Sequence, residues 1–433
     1  MDHQKKICKF MLDPNHRGVL VFHSVGSGKT LTSIVAAKCL LEKTKKKKLI
    51  IVTPASLVSN FQKELNKVPF NTGDLSVTIT LESYDKFIRE PSAGCKNSIL
   101  ILDEVHNLNA EAGVKFRKMF ECSKLAHKVI LLSATPVKNI PAEIANQISL
   151  LTGVKLTRHI LDKVLEMKDS PRKTQLFNQL FKCKISFFKN QDTSNYPSVR
   201  EEVVELKMSQ QYYNEYYKVQ EDLKKAGLPE MFRDAGDLTV FLNGVRRAVN
   251  KTAVISPKIA WVIDKINRNK NSKILIYSAW LDAGINLIKE YLETVGVPFS
   301  EVSGTLTKKA KDLSVSNYNT GKTKIMLVTA AGAEGLNLKE TRFVVILEPH
   351  WNNARIRQII GRAVRFKSHS RLPLRQRNVT VYHLILEKPS GVFGDKMRSA
   401  DTILYQLSKK KEDIISQFYD RLSKVFIEND KSC

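Results

Sequence analysis

The feature that most constrains this chain is a series of short, nearly continuous runs of aliphatic and β-branched residues. Each is followed by a stretch with helical spacing. In the first third they read 19-VLVFHS, 49-LIIVTPA, 76-SVTITL, 98-SILILDE and 128-KVILLSATP. A strand with one wet face alternates polar and apolar residues, whereas a strand covered on both faces does not. Runs of this kind with helices between them, as at Leu31 to Lys43 and Leu57 to Lys67, predict a doubly wound α/β sheet. The pattern restarts at 273-KILIYSA, 324-KIMLVTAA, 343-FVVILEP and 379-VTVYHLIL, with helical spacing at Ala283 to Val295 and Asn353 to Arg365. The stretch between is richer in Lys, Gln, Tyr and Phe and mostly helical in pattern, interrupted by the strand-like 199-VREEVVELKM. Four segments follow: an α/β lobe over 1–151, a helical insert over 152–255, a second α/β lobe over 256–390 and a helical tail over 391–433.

Composition narrows the function classes. The 433 residues carry 70 Lys plus Arg against 43 Asp plus Glu, a formal charge of +27. Such an excess points to a polyanion, either nucleic acid or an anionic membrane surface, and charge alone does not choose. No apolar run approaches the ~20 residues that span a bilayer, and the N-terminus has no apolar signal segment. An integral membrane protein is therefore excluded and secretion disfavoured. The six cysteines, Cys8, Cys39, Cys95, Cys122, Cys183 and Cys433, form no CxxC pair. They read as reduced thiols of a cytosolic or nuclear protein, neither a disulfide framework nor a zinc site.

The first run leads into 24-SVGSGKT, which opens a helix. Gly26 and Gly28 let the backbone curl so that N–H groups, with Ser24 and Ser27, face a phosphate chain. Lys29 reaches the β- and γ-phosphates and Thr30 offers its hydroxyl to Mg²⁺. The consensus has a glycine where this chain has His23. The fourth run ends in Asp103-Glu104, 74 residues after Lys29. A carboxylate there is costly to desolvate unless it meets a cation, so Asp103 is the metal partner and Glu104 the base for water. In 132-LSATP, Ser133 and Thr135 are placed to sense the γ-phosphate by bonding this acidic pair, and His106 is a candidate partner of the same motif. In the late lobe, 354-ARIRQIIGRAVRFKSHSRLPLRQR carries eight Arg and Lys, with no acid from Pro349 to Leu386. Gln358, Arg362 and Arg365 share one helix face, while Ile356, Ile359, Ile360 and Val364 pack the other. A guanidinium in this setting is a candidate arginine finger.

Taken in order, these motifs resemble superfamily two helicases, and more narrowly the Swi/Snf-type double-stranded DNA translocases. The resemblance runs from Gln4 to about Leu386 through 50-IIVTPASLVSNFQKEL, 103-DEVHNLN, 131-LLSATPVKN, 196-YPSVREEVVEL, 256-SPKIAWVIDKI, 328-VTAAGAEGLNL and 347-LEPHWNNARIRQIIGRAVR. His23, DEVH and SATP look closer still to poxvirus-type nucleoside triphosphate phosphohydrolases and related helicases of large cytoplasmic DNA viruses, which serve viral transcription. The resemblance implies two RecA-like P-loop NTPase lobes with parallel sheets that close on ATP and Mg²⁺. It implies that Gln4 reads adenine, that Arg365 rather than Arg362 is the finger, and that Gly335 couples the second lobe to ATP and DNA. It further implies that Thr53, Pro54, Thr80 and Thr329 contact the nucleic-acid backbone. The expected partners are DNA, duplex favoured, or RNA, together with an RNA polymerase or transcription complex, and no membrane. The expected setting is intracellular: cytoplasm, virion or viral factory, or nucleus. The rival readings are a strand-separating DExH helicase and a non-hydrolysing nucleic-acid scaffold. Of the remaining features, 43-KTKKKK reads as a solvated turn, 212-YYNEYY and Trp351 as packing. Arg246–Arg247 and Lys308–Lys309 stay open between solvated faces and phosphate contacts.

Overall fold

The computed structural model describes the whole chain except residues 1, 25–26, 45, 47, 69, 71–76, 90–93, 111–112, 189–193, 226–243, 331, 333–335, 352, 391–397 and 431. Gly26, Gly335 and, in the lysine run, Lys45 and Lys47 lie outside the described residues. So does the side chain of Gln4, whose backbone belongs to the helix Asp2–Leu12.

The chain divides into two compact units, residues 1–191 with 411–433 and residues 192–410. Each is built on one six-stranded sheet in which every neighbouring pair is parallel. In the first unit the strands are β1 (Gly18–His23), β2 (Lys48–Thr53), β3 (Thr78–Ser83), β4 (Ile99–Leu102), β5 (Lys128–Ser133) and β6 (Ile185–Phe188), in the spatial order β3-β2-β4-β5-β1-β6. Because the strands run parallel, the C-terminal ends of β1, β2, β4 and β5 lie side by side, and the candidate residues sit there.

The continuous apolar runs are explained by two cores. Leu20, Ile50, Val52, Leu100, Leu102, Val129 and Leu131 face one core, and their neighbours Val19, Val21, Leu49, Ile51, Ile99, Ile101, Ile130 and Leu132 face the other. This is the period-2 alternation of a strand with both faces dry. The second unit repeats the arrangement with β7 (Ser198–Lys207), β8 (Lys273–Ser278), β9 (Phe299–Val302), β10 (Ile325–Thr329), β11 (Thr341–Ile346) and β12 (Asn378–Glu387), in the order β7-β12-β11-β8-β10-β9. Leu275, Met326, Val328 and Val344 face one core there, and Ile274, Ile276, Leu327 and Val345 the other.

The 152–255 stretch is divided between the units. The helices Arg158–Glu166 and Pro171–Phe181 and strand β6 complete the first, while β7 and the helix Gln210–Lys225 pack in the second. Tyr212, Tyr213 and Tyr216 are core, as expected, and Tyr212 donates to the Ala248 carbonyl at 2.7 Å. The tail returns to the first unit: Phe418, Leu422, Val425 and Phe426 join the core that holds Leu20 and Leu100.

The reading of the cysteines as reduced thiols is overturned. They pair as Cys8–Cys39, Cys95–Cys122 and Cys183–Cys433, leaving none free. Separations of 31, 27 and 250 residues leave no local spacing to read. Cysteine usage therefore no longer argues for a reducing compartment. Unfolded without reductant, the chain is expected to offer none of its six thiols to a thiol reagent, and all six after reduction; mass spectrometry of the labelled chain decides.

Candidate functional site

The phosphate-loop candidates stand where β1 meets the helix Lys29–Thr44. Gly28 has φ 78°, the left-handed region that a side chain resists, which fits the glycine at this turn. The Lys29 ammonium donates to the carbonyl oxygens of His23 at 3.0 Å and Ser24 at 3.2 Å, which folds it back over the loop. Ser24 is anchored to β6 by its N–H, which donates to the Phe188 carbonyl at 2.9 Å. The hydroxyl of Ser27 is buried and without a hydrogen-bond partner, a cost that an incoming acceptor would relieve. Thr30 is half-buried in the first helical turn.

Beside it, β4 delivers Asp103 to the end of the sheet. Burial pushes the Asp103 carboxyl up; hydrogen bonds from Thr53 and from the Glu104 N–H, and then the charge of Lys29, oppose this. Thr53 Oγ1 donates to Oδ2 at 2.9 Å and the Glu104 N–H donates to Oδ1 at 3.0 Å. Both oxygens keep lone pairs, so the carboxylate can still serve as a hard-oxygen ligand of the kind Mg²⁺ prefers. Glu104 itself adopts φ 47° and ψ 48°, a left-handed conformation costing a non-glycine residue about 1 kcal/mol. Such strain collects at functional turns, and here it redirects the chain between the two carboxylates.

The third motif joins this cluster. His106 Nδ1 lies 3.0 Å from Ser133 Oγ and 3.3 Å from Glu104 Oε2, and Ser133 Oγ accepts from the Thr135 N–H at 3.1 Å. Burial, with the charges of Lys138 and Lys29, pushes the His106 imidazole down to about 3, so it is neutral at working pH.

Two site residues escaped the sequence reading. The Tyr84 hydroxyl, held far above its usual range by burial and by Asp103 and Glu104, donates to the Asp103 carbonyl at 2.7 Å. Glu143, buried, accepts from the Lys138 and Asn139 N–H groups at 2.8 and 3.1 Å and fixes the loop after 132-LSATP. Tyr84 lies just beyond the quoted run 76-SVTITL; Glu143 offered no signal beyond being a lone acid in an apolar stretch.

Among the expected nucleic-acid contacts, Thr53 and Thr329 are buried, and Thr53 gives its hydroxyl to Asp103. Pro54 and Thr80 are half-buried.

In the second unit, Gln358 and Arg362 lie on the helix Asn353–Ala363, and Arg365 follows it; all three are half-buried. Burial and the neighbouring Arg362 push the Arg365 guanidinium down to about 10. Its Nε donates to the Gly361 carbonyl at 3.2 Å. Two like charges held close and partly dry favour an anion between them. Arg246 proves structural: it is buried, donates to the Pro349 carbonyl at 3.1 Å and lies over Trp280 and Trp351. Lys308 and Lys309 are exposed.

A parallel lobe ending in a Gly-Lys-Thr loop and an Asp-Glu pair, followed by a second parallel lobe carrying an arginine helix, defines a P-loop NTPase of two RecA-like lobes. Residues 1–138 match the type III restriction enzyme res subunit family, and residues 257–367 match the helicase conserved C-terminal domain. A protein of Acanthamoeba polyphaga mimivirus, provisionally named ATP-dependent RNA helicase L538, is 32% identical over 99% of this chain and 97% of its own. Nucleoside triphosphatase I of Choristoneura fumiferana entomopoxvirus is 25% identical, covering 94% and 75%. The termination factor NPH-I homolog of African swine fever virus (isolate Tick/Malawi/Lil 20-1/1983) is 24% identical, covering 96% and 76%. Among solved structures, the Hef helicase domain of Pyrococcus furiosus shares the fold at a TM-score of 0.52 and 16% identity, covering 94% of this chain and 97% of that one.

The chain belongs to the superfamily two helicase family, in the group that holds these viral nucleoside triphosphatases and helicases, and it is an ATP-hydrolysing enzyme. Among the described residues no helix is long and apolar enough to cross a membrane.

The state of His106 makes a pH prediction. The unfolded chain protonates it below about 6.5 and the folded chain only below about 3, so the unfolded state binds more protons in that window. Stability is then fully present above pH 6.5 and lost as pH falls, by up to about 1.4 kcal/mol per unit. Urea unfolding without nucleotide or metal, at pH 7.5 and 5.5, is expected to show the native chain losing about 1 kcal/mol more than His106→Gln. Equal losses would contradict this account.

Proposed function

We propose that the chain is an ATP-driven motor that moves along duplex DNA in viral transcription. The observation that carries the reading is the cluster at the C-terminal strand ends of the first unit, where Asp103 receives Thr53 and Glu104 N–H bonds with Lys29 close enough to lower its pKa. A charge of +27 supports a polyanion track, and the absence of acids from Pro349 to Leu386 supports an anion at the arginine helix. The name of the swine fever virus relative, a termination factor, supports transcription as the process and an RNA polymerase complex as partner. The setting would accordingly be the interior of the infected cell.

In this reading the loop N–H groups, Ser24, Ser27, Gly28 and Lys29 hold the phosphates, with Gly26 completing the turn and Gln4 reading the base. Thr30 and Asp103 would hold Mg²⁺, which when bound neutralises phosphate charge. Glu104 takes the proton of the attacking water, and the neutral His106 keeps that carboxylate aimed. Ser133 and Thr135 transmit the state of the γ-phosphate, Gly335 couples the second lobe, and Gln358, Arg362 and Arg365 supply the hydrogen bonds and positive charge that steady the transferred phosphoryl group. Thr53, Pro54, Thr80 and Thr329 stay proposed contacts to the nucleic-acid backbone. Because phosphates dominate such a grip, binding should weaken steeply with salt and ignore base sequence.

One observation favours a second reading, strand separation on RNA: the relative at 32% identity carries an RNA helicase name. ATP turnover with duplex DNA, single-stranded DNA and RNA, beside a strand-displacement assay, separates the two. We expect duplex DNA to stimulate turnover without unwinding. Lys29→Ala should abolish turnover and Glu104→Gln should lower kcat by about 100-fold or more. Stimulation by RNA alone with unwinding would install the second reading, and normal turnover in Glu104→Gln would remove the assigned base.

A further inference from the structure

The phosphate-loop consensus has a glycine where this chain carries His23, and the ring of His23 is fully buried. Its Nε2 lies 3.0 Å from Ser186 Oγ on β6. The same hydroxyl donates to Glu428 Oε1 at 2.5 Å, and Glu428 Oε2 accepts from the Phe187 N–H at 2.7 Å. An ionised carboxylate only accepts, so the Ser186 proton points to Glu428. Ser186 must then accept from His23 Nε2–H, which fixes the imidazole tautomer. The polar chain therefore runs Glu428, Ser186, His23, and it has a direction. Its far end is the residue whose carbonyl holds Lys29 at 3.0 Å.

Glu428 is 405 positions after His23, yet several independent contacts fasten its segment to β6. The Ile427 N–H donates to the Ile185 carbonyl at 3.0 Å, and Phe426 stacks on Phe187 with ring centroids 4.9 Å apart. Lys182 pairs with Asp430 at 3.2 Å, and Cys183 is bonded to Cys433. In turn β6 pairs with β1 up to His23↔Phe188, and Phe188 receives the Ser24 N–H. The tail also reaches the third motif, since Tyr419 Oη accepts from the Val137 N–H at 3.2 Å.

We propose that Glu428 is a positioning residue of the ATP site, acting through Ser186 and His23 to hold the loop that presents Lys29. A tail that only packed would use its apolar residues; it would not deliver a carboxylate to a strand that borders the phosphate loop. The chain of contacts exists because position 23 is histidine: a glycine has no ring for Ser186 to meet. Glu428→Gln keeps the shape and reverses the polarity. The amide N–H donates to Ser186, whose proton turns towards His23 and demands the other tautomer. Loosening the loop weakens ATP binding before it touches the proton-transfer groups, so the effect falls on KM.

The proposal rests on reading 24–30 as the phosphate-binding loop. Steady-state ATP turnover in the full chain tests it, with Glu428→Gln, Ser186→Ala, the double variant and Lys29→Ala measured together. Each single variant is expected to raise KM for ATP about three- to tenfold with kcat nearly unchanged. The double variant should be no worse than the stronger single one, because both cut one chain of contacts. Unchanged KM in folded Glu428→Gln and Ser186→Ala, or effects that multiply, would overturn the positioning role. If Glu428→Gln fails to fold, Ser186→Ala, a one-atom deletion, decides alone by the same KM criterion. Full turnover in Lys29→Ala would instead remove the loop assignment itself; a dead Lys29→Ala beside a normal Glu428→Gln removes only the relay.

Discussion

Everything at the candidate site follows from the need to keep a carboxylate ionised at the end of a strand that is dry on both faces. Ile99 to Leu102 are fully buried, and the next residue is Asp103. Uncompensated, such a group would simply take up a proton. The structure answers with a hydroxyl from β2, an N–H from the strained Glu104 and an ammonium from the helix after β1. Each of those groups comes from the end of β4 itself, from the strand end next to it or from one strand removed. The parallel order β3-β2-β4-β5-β1-β6 supplies them, so the topology and the carboxylate explain one another.

The same requirement separates what was legible in the sequence from what was not. Strands β1, β2, β4 and β5 were readable because burial on two faces forces continuous apolar runs. Strands β6 and β9 were not: each has four residues at or near a sheet edge, too short for a pattern to rise above its neighbours. Lys29, Thr30, Asp103 and Glu104 were readable because their spacing is tied to local strand–turn–helix geometry. Tyr84, Glu143 and Glu428 were not, since each earns its place through partners that the fold alone brings near. Glu428 meets Ser186 across 242 residues. The cysteines mislead for the same reason: absence of a local pair says nothing about pairs closed by tertiary structure.

A second buried polar cluster shows that compensated charge is a general device of this chain. In the second unit Lys258, Glu348 and Asp401 are all fully or almost fully buried. Lys258 pairs with Asp401 and donates to the Leu347 carbonyl at 2.7 Å, while Asn250 and Ser278 donate to Glu348 at 2.9 and 3.1 Å. Burial pushes both carboxyls up, and the Lys258 charge is the first influence to bring them down. This cluster joins the ends of β8 and β11 to the helices Pro257–Arg268 and Ala400–Ser423. Even so both carboxyls remain raised, and Asp401 Oδ1 has no hydrogen-bond partner.

The functional candidates face the same cost of burial in each unit. In the first, Asp103 stays raised despite two hydrogen bonds and the Lys29 charge. In the second, Arg365 stays depressed beside Arg362. Polar groups held partly dry and under-compensated raise the energy of the resting state, and a ligand of the right charge recovers that energy on binding. Because Glu348 and Asp401 are raised as well, a shifted carboxyl does not by itself mark a site; Asp103 is set apart by its neighbours, the charge of Lys29 and the strained Glu104.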